Sequence, residues 1–414
     1  MSLTPLATAR QAALSALLPA HPVHVPLLEA LGRFLAQDIV AARSLPGCPV
    51  SAMDGYAVRA EDTSGANRDR PARLRVVDTL YAGHLPSRPL QSGEASRIFT
   101  GAPLPEGANA IVRQEATVVP AEGLVDVCVG VPPGKDIRPT GEDILAGTPL
   151  LRAGQRIEAS MLGVLASMGD PQVLVRPPPR VSVLATGDEL VPPGAPALPH
   201  QVYESNLVLV AALAREAGAH VVEQRRARDE DEELRAALRC LAGGTDVLIT
   251  TGGASVGDKD RVKSLLAELG ATFLVDGVAL KPGKPVAVAR LFDGTVIVLP
   301  GNPGAATVAF DQFARPLLLA YQGVLEERQR VRVRLDEGRH KQAGFTYLVS
   351  GTLETREDGQ VWARIRSQGA GQHLQNIGAE GYAILPPGRA DFAPGDEVDF
   401  ERFDRPHFLP VGKR

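Results

Sequence analysis

The sequence has 414 residues, with 44 lysines and arginines against 48 aspartates and glutamates, which gives a formal net charge of −4. This balance excludes a chain-wide electrostatic attraction to nucleic acid or to an anionic membrane. The hydrophobic fraction of 44% is typical of a globular protein, and a chain of this length corresponds to about two to four domains. With aromatic residues at 4%, we do not expect an aromatic platform that stacks on bases.

The first 45 residues are predicted to form two helices. The second helix is inferred from an apolar stripe with helical spacing, formed by Leu27, Leu31, Phe34 and Leu35. No apolar run is long enough to span a bilayer, and the first 20 residues lack the pattern of a secretory signal. We therefore expect a cytoplasmic protein without a membrane partner.

Residues 46–140 have short alternating segments between glycines and prolines, which predicts a β-rich domain with strands near 74–77 and 125–129. A helix is predicted at 159–168, and a stiff proline-rich linker follows it at 176–180. These patterns predict an elongated N-terminal helical domain made of residues 1–45 plus 141–175. The β-rich domain at 46–140 is inserted into it.

Residues 176–326 alternate between strand and helix patterns. Strands are predicted at 181–185, 246–250, 285–291 and 295–299, and helices at 206–217, 234–241, 262–269 and 304–320. This alternation is typical of an α/β domain with a mainly parallel sheet that helices cover on both faces. From residue 327 to 414 the segments become short and alternating again, which predicts a C-terminal β-barrel-like domain. The fold class is therefore a multidomain α/β protein.

Three loops follow predicted strands of the α/β domain, at residues 186–190, 251–260 and 300–303. Ligands bind beyond the carboxyl ends of the strands in open α/β sheets, so we expect these loops to share one rim. Gly252 and Gly253 allow a close backbone approach to a ligand, although they could also form only a turn, with Asp260 only capping the next helix. The presence of Thr251 and Ser255 favours an oxyanion-binding role. The loop 300–303, considered alone, is best explained as a helix start.

Lysines and carboxylates are both expected at this rim. Lys281 and Lys284 lie in a proline-flanked turn, and the acidic residues of the rim are Asp188, Glu189, Asp229 and Asp260. Like charges about 4 Å apart repel by roughly 4 kcal/mol at an effective dielectric constant of 20, so carboxylates are poor direct hosts for a polyanion. Carboxylates are compatible with an anion-binding site if they hold Mg²⁺ or orient water, while lysines and backbone N–H groups bind the anion itself. The sequence thus predicts a site for a phosphorylated ligand and a hard cation.

Eight motifs, taken together, resemble the molybdopterin molybdenumtransferase family, the MoeA-type molybdenum insertases that include a domain of gephyrin. They occur in the family's order between residues 51 and 303, as SAMDGYA (51–57), FTGAPLP (99–105), GEDI (141–144), ATGDEL (185–190), YESN (203–206), TTGGASVGDKD (250–260), KPGKP (281–285) and LPGNP (299–303). The resemblance implies that residues 176–326 form a molybdopterin-binding domain.

The resemblance also implies an activity and a set of site residues. The activity is insertion of molybdate into adenylylated molybdopterin with release of AMP, dependent on Mg²⁺ and carried out by a homodimer. The implied catalytic residues are Asp54, Thr100, Glu189, Asp229 and Asp260. Substrate-binding residues would be Gly252, Gly253, Ser255, Lys281, Lys284, Pro300 and Pro303, and Mg²⁺ would be held by Asp229, Asp260 and Asp143. The implied partners are a molybdopterin adenylyltransferase upstream and molybdoenzymes or their chaperones downstream.

The sequence departs from the family's pattern at several positions. Asp276 or Gly277 stands where a lysine is common, Tyr347 where an arginine is expected, and Ala370 where a serine or threonine is common. Two alternative functions remain open, and the departures in the C-terminal domain favour the second of them. One is a molybdopterin adenylyltransferase, which shares the glycine loop but has no use for the N-terminal β region. The other is a non-catalytic scaffold or carrier that binds molybdopterin.

Overall fold

The chain divides into two units in the computed structural model, which describes residues 3–16, 20–253, 261–366 and 373–403. The larger unit comprises Met1–Ala36, Arg156–Glu158 and Gln172–Arg414. The smaller unit comprises Gln37–Gln155 and Ala159–Pro171. No helix among the described residues is long and apolar enough to cross a membrane.

A six-stranded sheet, here called the central sheet, forms the middle of the larger unit. Its strands lie in the spatial order His220–Ala227, Arg180–Thr186, Val247–Thr251, Gly294–Leu299, Ala287–Leu291 and Thr272–Asp276. The first four strands are parallel and the last two are antiparallel to their neighbours. Both faces of the inner strands are buried, which explains their nearly continuous apolar sequences. The prediction of a mainly parallel α/β sheet is confirmed.

Helices cover both faces of the central sheet. The helices of the larger unit are Leu6–Leu14, Asn206–Glu216, Asp231–Gly243, Arg261–Glu268, Pro303–Ala309 and Arg315–Tyr321. Two separate apolar clusters correspond to the two faces. One contains Ala9, Val210 and Phe313, and the other contains Leu234 and Leu265. The sheet is therefore the middle layer of three.

The helix predicted at 304–320 is present but interrupted. A π-helical turn, Phe310–Ala314, separates its two α-helical parts. Pro316 has no backbone N–H, and its ring would collide with the carbonyl of Gln312 in a continuous α-helix. A π-helical turn widens the helix at that point and removes the collision.

The C-terminal part of the larger unit is a closed β-barrel, which confirms the predicted β-barrel-like domain. The barrel strands run in the order Thr346–Thr355, Val361–Ile365, Arg330–Leu335, Glu397–Arg402 and Gly381–Leu385, and the last pairs with the first. Closure leaves no free sheet edge. A two-residue strand, Leu280–Lys281, pairs with the beginning of Thr346–Thr355 and joins the barrel to the central-sheet region.

The smaller unit is built around a second six-stranded sheet. Its strands lie in the order Ala110–Arg113, Gly55–Val58, Glu94–Ile98, Ala72–Leu80, Leu124–Val127 and Thr117–Val118. The strands predicted near 74–77 and 125–129 fall in this sheet, and the second ends two residues earlier than expected. The predicted helix is observed as Ala159–Met168. Short strand pairs complete the unit, Ile39–Val40 with Pro149–Leu151 and Val50–Ser51 with Ile137–Arg138.

The second helix predicted in the first 45 residues is not formed. A strand, Val23–Pro26, is followed by a single 3-10 turn, Leu27–Ala30, and then by extended chain that pairs with residues 156 and 175. Gly32 has a φ of +77°, which ends any helix there. Of the stripe, Leu31 is exposed, Leu27 and Phe34 are half-buried and Leu35 is buried, so the four side chains do not form one buried helical face. The prediction was wrong because spacing alone does not show that a core lies against the stripe.

The remaining short elements connect these layers. The strand Gln172–Val175 pairs with Val23–Pro26, and Leu190–Val191 pairs with Val202–Tyr203. Arg339–His340 pairs with Asp391–Phe392 beside the barrel. Further 3-10 turns lie at Ala60–Thr63, Gln114–Ala116 and Leu374–Asn376.

Leu248 tests the packing of the central sheet. It is fully buried in the strand Val247–Thr251, within the cluster that contains Leu234 and Leu265. Leu248→Ala is expected to lower the free energy of unfolding by about 2–5 kcal/mol, because it removes buried methyl groups and leaves a cavity. Urea denaturation followed by circular dichroism measures the change. The exposed Leu198 provides the control, since Leu198→Ala should alter stability by less than about 0.5 kcal/mol.

Candidate functional site

A cavity of about 1060 Å³ opens at the carboxyl ends of the parallel strands, within the larger unit. The four parallel strands contribute the segments that follow them, which are Thr186–Leu190, Asp229, Gly252–Gly253 and Pro300–Pro303. Residues 281–285 and Tyr347 line it from the barrel side. Parallel strands bring these loops together because their carboxyl ends meet at one edge of the sheet.

The glycine loop approaches its neighbours more closely than any side chain would allow. Gly252 has a φ of +88°, and a Cβ atom there would lie 2.4 Å from the carbonyl oxygen of Thr186. A Cβ atom on Gly253 would lie 2.6 Å from Val262, and one on Gly301 would lie 3.3 Å from the Cα of Gly252. Both loop glycines are thus required by space and by conformation. Ser255 and Asp260, predicted in the same loop, lie outside the described residues.

Gly252→Ala is expected to destabilise the protein by about 1–3 kcal/mol more than Gly270→Ala, because only the first substitution creates a steric overlap. Gly270 has nearly the same φ, +90°, but no atom lies within 4 Å of its hypothetical Cβ, so it controls for the cost of the backbone conformation. The urea midpoints of the two variants give the comparison. Equal midpoints would show that in Gly252→Ala the loop moves away from Thr186 without any loss of stability.

The acidic wall of the cavity consists of Asp188, Glu189 and Asp229. The hydroxyl of Thr186 donates a short hydrogen bond to Oδ1 of Asp229, and the backbone N–H of Asp229 donates to Oδ1 of Asp188 at 3.2 Å. Asp229 is therefore fixed in place and half-buried, while Asp188 and Glu189 are exposed at the mouth. Among the described residues, no three His, Cys, Asp or Glu side chains are grouped so that they could hold a metal ion.

Lys281 lines the basic wall of the cavity and contacts side chains that lie next to the barrel strand Thr346–Thr355. Nζ of Lys281 donates to Oε1 of Gln342 at 2.9 Å and lies 4.8 Å from the ring centre of Phe345. Lys341 is buried and donates to the carbonyl of Phe345 at 2.9 Å, and its Nζ lies 5.2 Å from the ring centre of Tyr347. Burial lowers the pKa of Lys341. In the described part of the chain, neither lysine forms an ion pair with a carboxylate, so Lys281 reaches the cavity without an acidic partner.

Lys284, Pro300 and Pro303 also line the cavity. Pro303 lies in the first turn of the helix Pro303–Ala309, as the interpretation of a helix start predicts. Asn302 occupies the N-cap position, but its side chain makes no capping hydrogen bond, and its carbonyl accepts the N–H of Ala306 at 2.8 Å.

Sequence reasoning missed several cavity residues. Tyr203, Glu204 and Asn206 belong to the YESN motif, for which no role was predicted, and all three line the cavity. Gln342, which does not line the cavity but accepts a hydrogen bond from Lys281, carried no recognisable signal, because its place depends on the pairing of Leu280–Lys281 with the barrel. Tyr347 was noted only as a departure from the family's pattern.

The other departures lie elsewhere. Asp276 accepts a hydrogen bond from Nζ of Lys263 at 2.7 Å, so the acidic side chain at this position has a partner of its own. Ala370 falls outside the described residues.

Three predicted site residues belong to the smaller unit. The backbone N–H and the hydroxyl of Thr100 both donate to Oδ1 of Asp54, each at 2.8 Å. These bonds, the backbone one first, hold the pKa of Asp54 below its ordinary value. Asp143 is exposed, and its backbone N–H donates to the carbonyl of Leu45 at 3.0 Å. The structure thus joins Asp54 to Thr100 directly.

Thr100→Val is expected to raise the pKa of Asp54, but not to its ordinary value, because the stronger backbone hydrogen bond is retained. Since the folded-state pKa is depressed, this carboxylate stabilises the fold at neutral pH, and that contribution is lost as the pH falls through its folded pKa. Carbon-detected NMR titration of the carboxyl groups gives the pKa of Asp54 in the unaltered protein and in the variant. Ser87→Ala provides the control, because it should raise the pKa of Asp78 and leave that of Asp54 unchanged. An unaltered Asp54 titration in Thr100→Val would contradict the assignment.

Three family models match successive parts of the chain. They are described as the MoeA N-terminal region (domain I and II) at residues 4–169, a probable molybdopterin binding domain at 182–320, and the MoeA C-terminal region (domain IV) at 332–403. The fold and the cavity at the end of its parallel strands are therefore those of a MoeA-type protein with a molybdopterin-binding domain.

Relatives place the chain in a single family. It is 43% identical over 313 residues to molybdopterin molybdenumtransferase 2 of Mycobacterium tuberculosis, a match that covers 73% of this chain and 76% of the relative. It is 34% identical to the molybdopterin molybdenumtransferase of Bacillus subtilis, covering 90% and 88%. A crystal structure of a molybdopterin biosynthesis MoeA protein from Pyrococcus horikosii has a TM-score of 0.85 and 30% identity, covering 98% of this chain and 100% of that one. The chain belongs to the molybdopterin molybdenumtransferase family, which confirms the resemblance seen in the sequence.

Proposed function

We propose that this protein is a molybdopterin molybdenumtransferase that accepts adenylylated molybdopterin, cleaves its pyrophosphate link, and inserts molybdate into the dithiolene with release of AMP. The observation that carries the proposal is that one cavity combines lysines without acidic partners among the described residues, a glycine loop and the fixed carboxylate of Asp229. Membership of the family supports the same activity. A polyanionic substrate and an oxyanion need both basic and acidic groups in the site. Lysines and backbone N–H groups can bind the negative charges directly, and carboxylates can bind them through a cation.

Binding of the anionic groups is assigned to the basic wall and the glycine loop. Lys281 and Lys284 supply positive charge, and the backbone near Gly252 and Gly253 supplies N–H donors that no side chain obstructs. Lys281 is held by an amide and by ring faces rather than by a carboxylate, so it does not have to break an ion pair when the ligand arrives. Ser255 is proposed to join this group.

The acidic wall is proposed to work through a cation. Magnesium in phosphate-binding sites is commonly held by one or two carboxylates together with substrate oxygens, so the fixed, half-buried Asp229 is a suitable donor. Asp260 and Asp143 are proposed as further ligands. When bound, Mg²⁺ would neutralise charge on the pyrophosphate oxygens. Cleavage adds water to one phosphorus, and the bridging oxygen leaves with the other phosphoryl group. Glu189 and Asp54 are proposed to orient that water or the molybdate, and Thr100 to hold Asp54 for this role.

The complete site is proposed to require a homodimer, in which the smaller unit of one subunit faces the cavity of its partner. The smaller unit would then bring Asp54, Thr100 and Asp143 to the substrate. The proposed partners are a molybdopterin adenylyltransferase that supplies the substrate and molybdoenzymes or their chaperones that receive the product.

The decisive measurement is AMP release from adenylylated molybdopterin, with and without molybdate and Mg²⁺. Release that depends on both is expected. Release without molybdate dependence would overturn the proposal, and tight binding without release would instead favour a carrier. Formation of adenylylated product from ATP and free molybdopterin would favour an adenylyltransferase.

Asp229→Asn is expected to lower the rate of AMP release on the order of 100-fold, because it removes a charge that acts on the reacting phosphates. The amide keeps an oxygen that can accept the Thr186 hydroxyl, so the local structure should survive. Asp293→Asn is the control, since Asp293 is exposed and does not line the cavity, and its rate should match that of the unaltered protein. A normal rate in Asp229→Asn would remove Asp229 from the mechanism.

A further inference from the structure

The YESN segment forms a wall of the cavity that the proposed function leaves without a role. Val202–Tyr203 pairs with Leu190–Val191, and the backbone N–H of Glu204 donates to the carbonyl of Val191 at 2.8 Å. The helix Asn206–Glu216 begins directly afterwards. The segment is thus fixed on both sides and presents Tyr203, Glu204 and Asn206 to the cavity.

Glu204 is a buried acidic side chain with an incomplete set of partners. It is only 4% exposed, and its Oε1 accepts the backbone N–H of Leu207 at 2.8 Å. Within the described ranges, no lysine, arginine or histidine pairs with it. A carboxylate has about four acceptor positions, so one helix N–H leaves most of its capacity unused. Because buried charge is retained in proteins when it is paired, further donors are expected from a ligand.

Asn206 adds a second acceptor to the same wall. Its Nδ2 donates to the carbonyl of Gly301 at 2.7 Å, which fixes the orientation of the amide. Its Oδ1 has no hydrogen-bond partner among the residues that the structure describes, although Asn206 is only 6% exposed. The carboxylate of Glu204, which accepts one backbone N–H, and the unpartnered Oδ1 of Asn206 are both acceptors, so the complementary ligand group carries N–H donors.

The aromatic ring of Tyr203 favours a planar ligand group. Tyr203 lines the cavity beside Glu204 and is 52% exposed, so about half of the residue is accessible to a ligand. Phosphate and molybdate do not fit this wall, because they carry negative charge and offer acceptors to acceptors. A planar heterocycle rich in N–H groups satisfies both the ring face and the acceptors.

We propose that the Tyr203–Asn206 wall binds the pterin end of the substrate, with Glu204 accepting hydrogen bonds from the 2-amino group and the adjacent ring N–H. This inference rests on the proposed function and assigns one end of its substrate. The pyrimidinone ring of a pterin presents two neighbouring N–H donors, which match one carboxylate. Adenine presents its amino group beside a ring nitrogen that accepts, so the same carboxylate would repel that edge. Glu204 therefore determines which heterocycle occupies this wall.

The test uses the purified full chain titrated separately with unsubstituted pterin and with AMP. Glu204→Gln keeps an oxygen for the N–H of Leu207, so the start of the helix is preserved, but it places an amide donor against the donors of the pterin. The dissociation constant for pterin is expected to rise about tenfold or more, the loss typical of one charge-assisted hydrogen bond, while that for AMP is unchanged. Glu216→Gln, at the exposed far end of the same helix, should change neither constant.

Two further results separate this inference from a structural role. Glu204→Asp keeps the negative charge but moves the carboxylate away from the ligand, because the side chain is one methylene shorter. This variant should bind pterin with an affinity between those of Glu204→Gln and the unaltered protein. Equal loss of pterin and AMP binding, or unaltered pterin binding in Glu204→Gln, would overturn the inference, as would undetectable pterin binding by the unaltered protein. Molybdate-dependent AMP release by the unaltered protein is measured independently, so the proposed function can stand when this assignment fails.

Discussion

The close approach of Gly252 to the carbonyl of Thr186 is the constraint on which the arrangement of the cavity depends. The two residues end adjacent parallel strands, and no side chain fits between them. Gly301, at the end of the next strand, packs against Gly252 and accepts a hydrogen bond from Asn206. Because the Thr186 hydroxyl also holds Asp229, four loops are fixed relative to one another by backbone packing and two side-chain bonds. These packed strand ends and loops, here called the frame, carry the charged groups of the cavity.

Among the described residues, the lysines and carboxylates that line the cavity form no ion pair with each other. Its carboxylates are held by a hydroxyl and by backbone N–H groups, while Lys281 is held by an amide and by aromatic rings. A direct lysine–carboxylate pair in the cavity would neutralise both groups before a ligand arrived. Neutral partners fix the geometry and leave the charge available, which is useful where binding must discriminate between an anion and a heterocycle with N–H donors.

Much of this frame could be predicted from the sequence. The inner strands of the central sheet are nearly continuous apolar runs because both of their faces are buried, and the glycine and proline loops mark their ends. The contact between Asp54 and Thr100 also has a local cause, since Gly55 pairs with Ile98 in adjacent strands, and the two residues flank that pair. The resemblance implied only that both residues belong to one site. The register of the two strands explains why they form hydrogen bonds with each other.

Other features depend on packing that no single segment contains. The stripe of Leu27, Leu31, Phe34 and Leu35 has helical spacing, but Leu31 is exposed and Leu35 is buried, and the chain at Phe34 and Leu35 is extended instead. The contact of Lys281 with Gln342 requires the pairing of Leu280–Lys281 with the barrel, a two-residue contact across about 65 positions of sequence that leaves no periodic pattern.

The aromatic content illustrates a related limit of composition as evidence. A fraction of 4% argues against a platform that stacks on many bases, but one ring is enough for one heterocycle when the neighbouring groups supply specificity. Tyr203 gains its importance from its neighbours Glu204, whose carboxylate accepts one backbone N–H, and Asn206, whose Oδ1 has no donor among the described residues. Lysines and loop N–H groups donate on one part of the cavity, and carboxyl and amide oxygens accept on another. A ligand with a phosphorylated end and an N–H-rich end is complementary to both, and its orientation follows from that division.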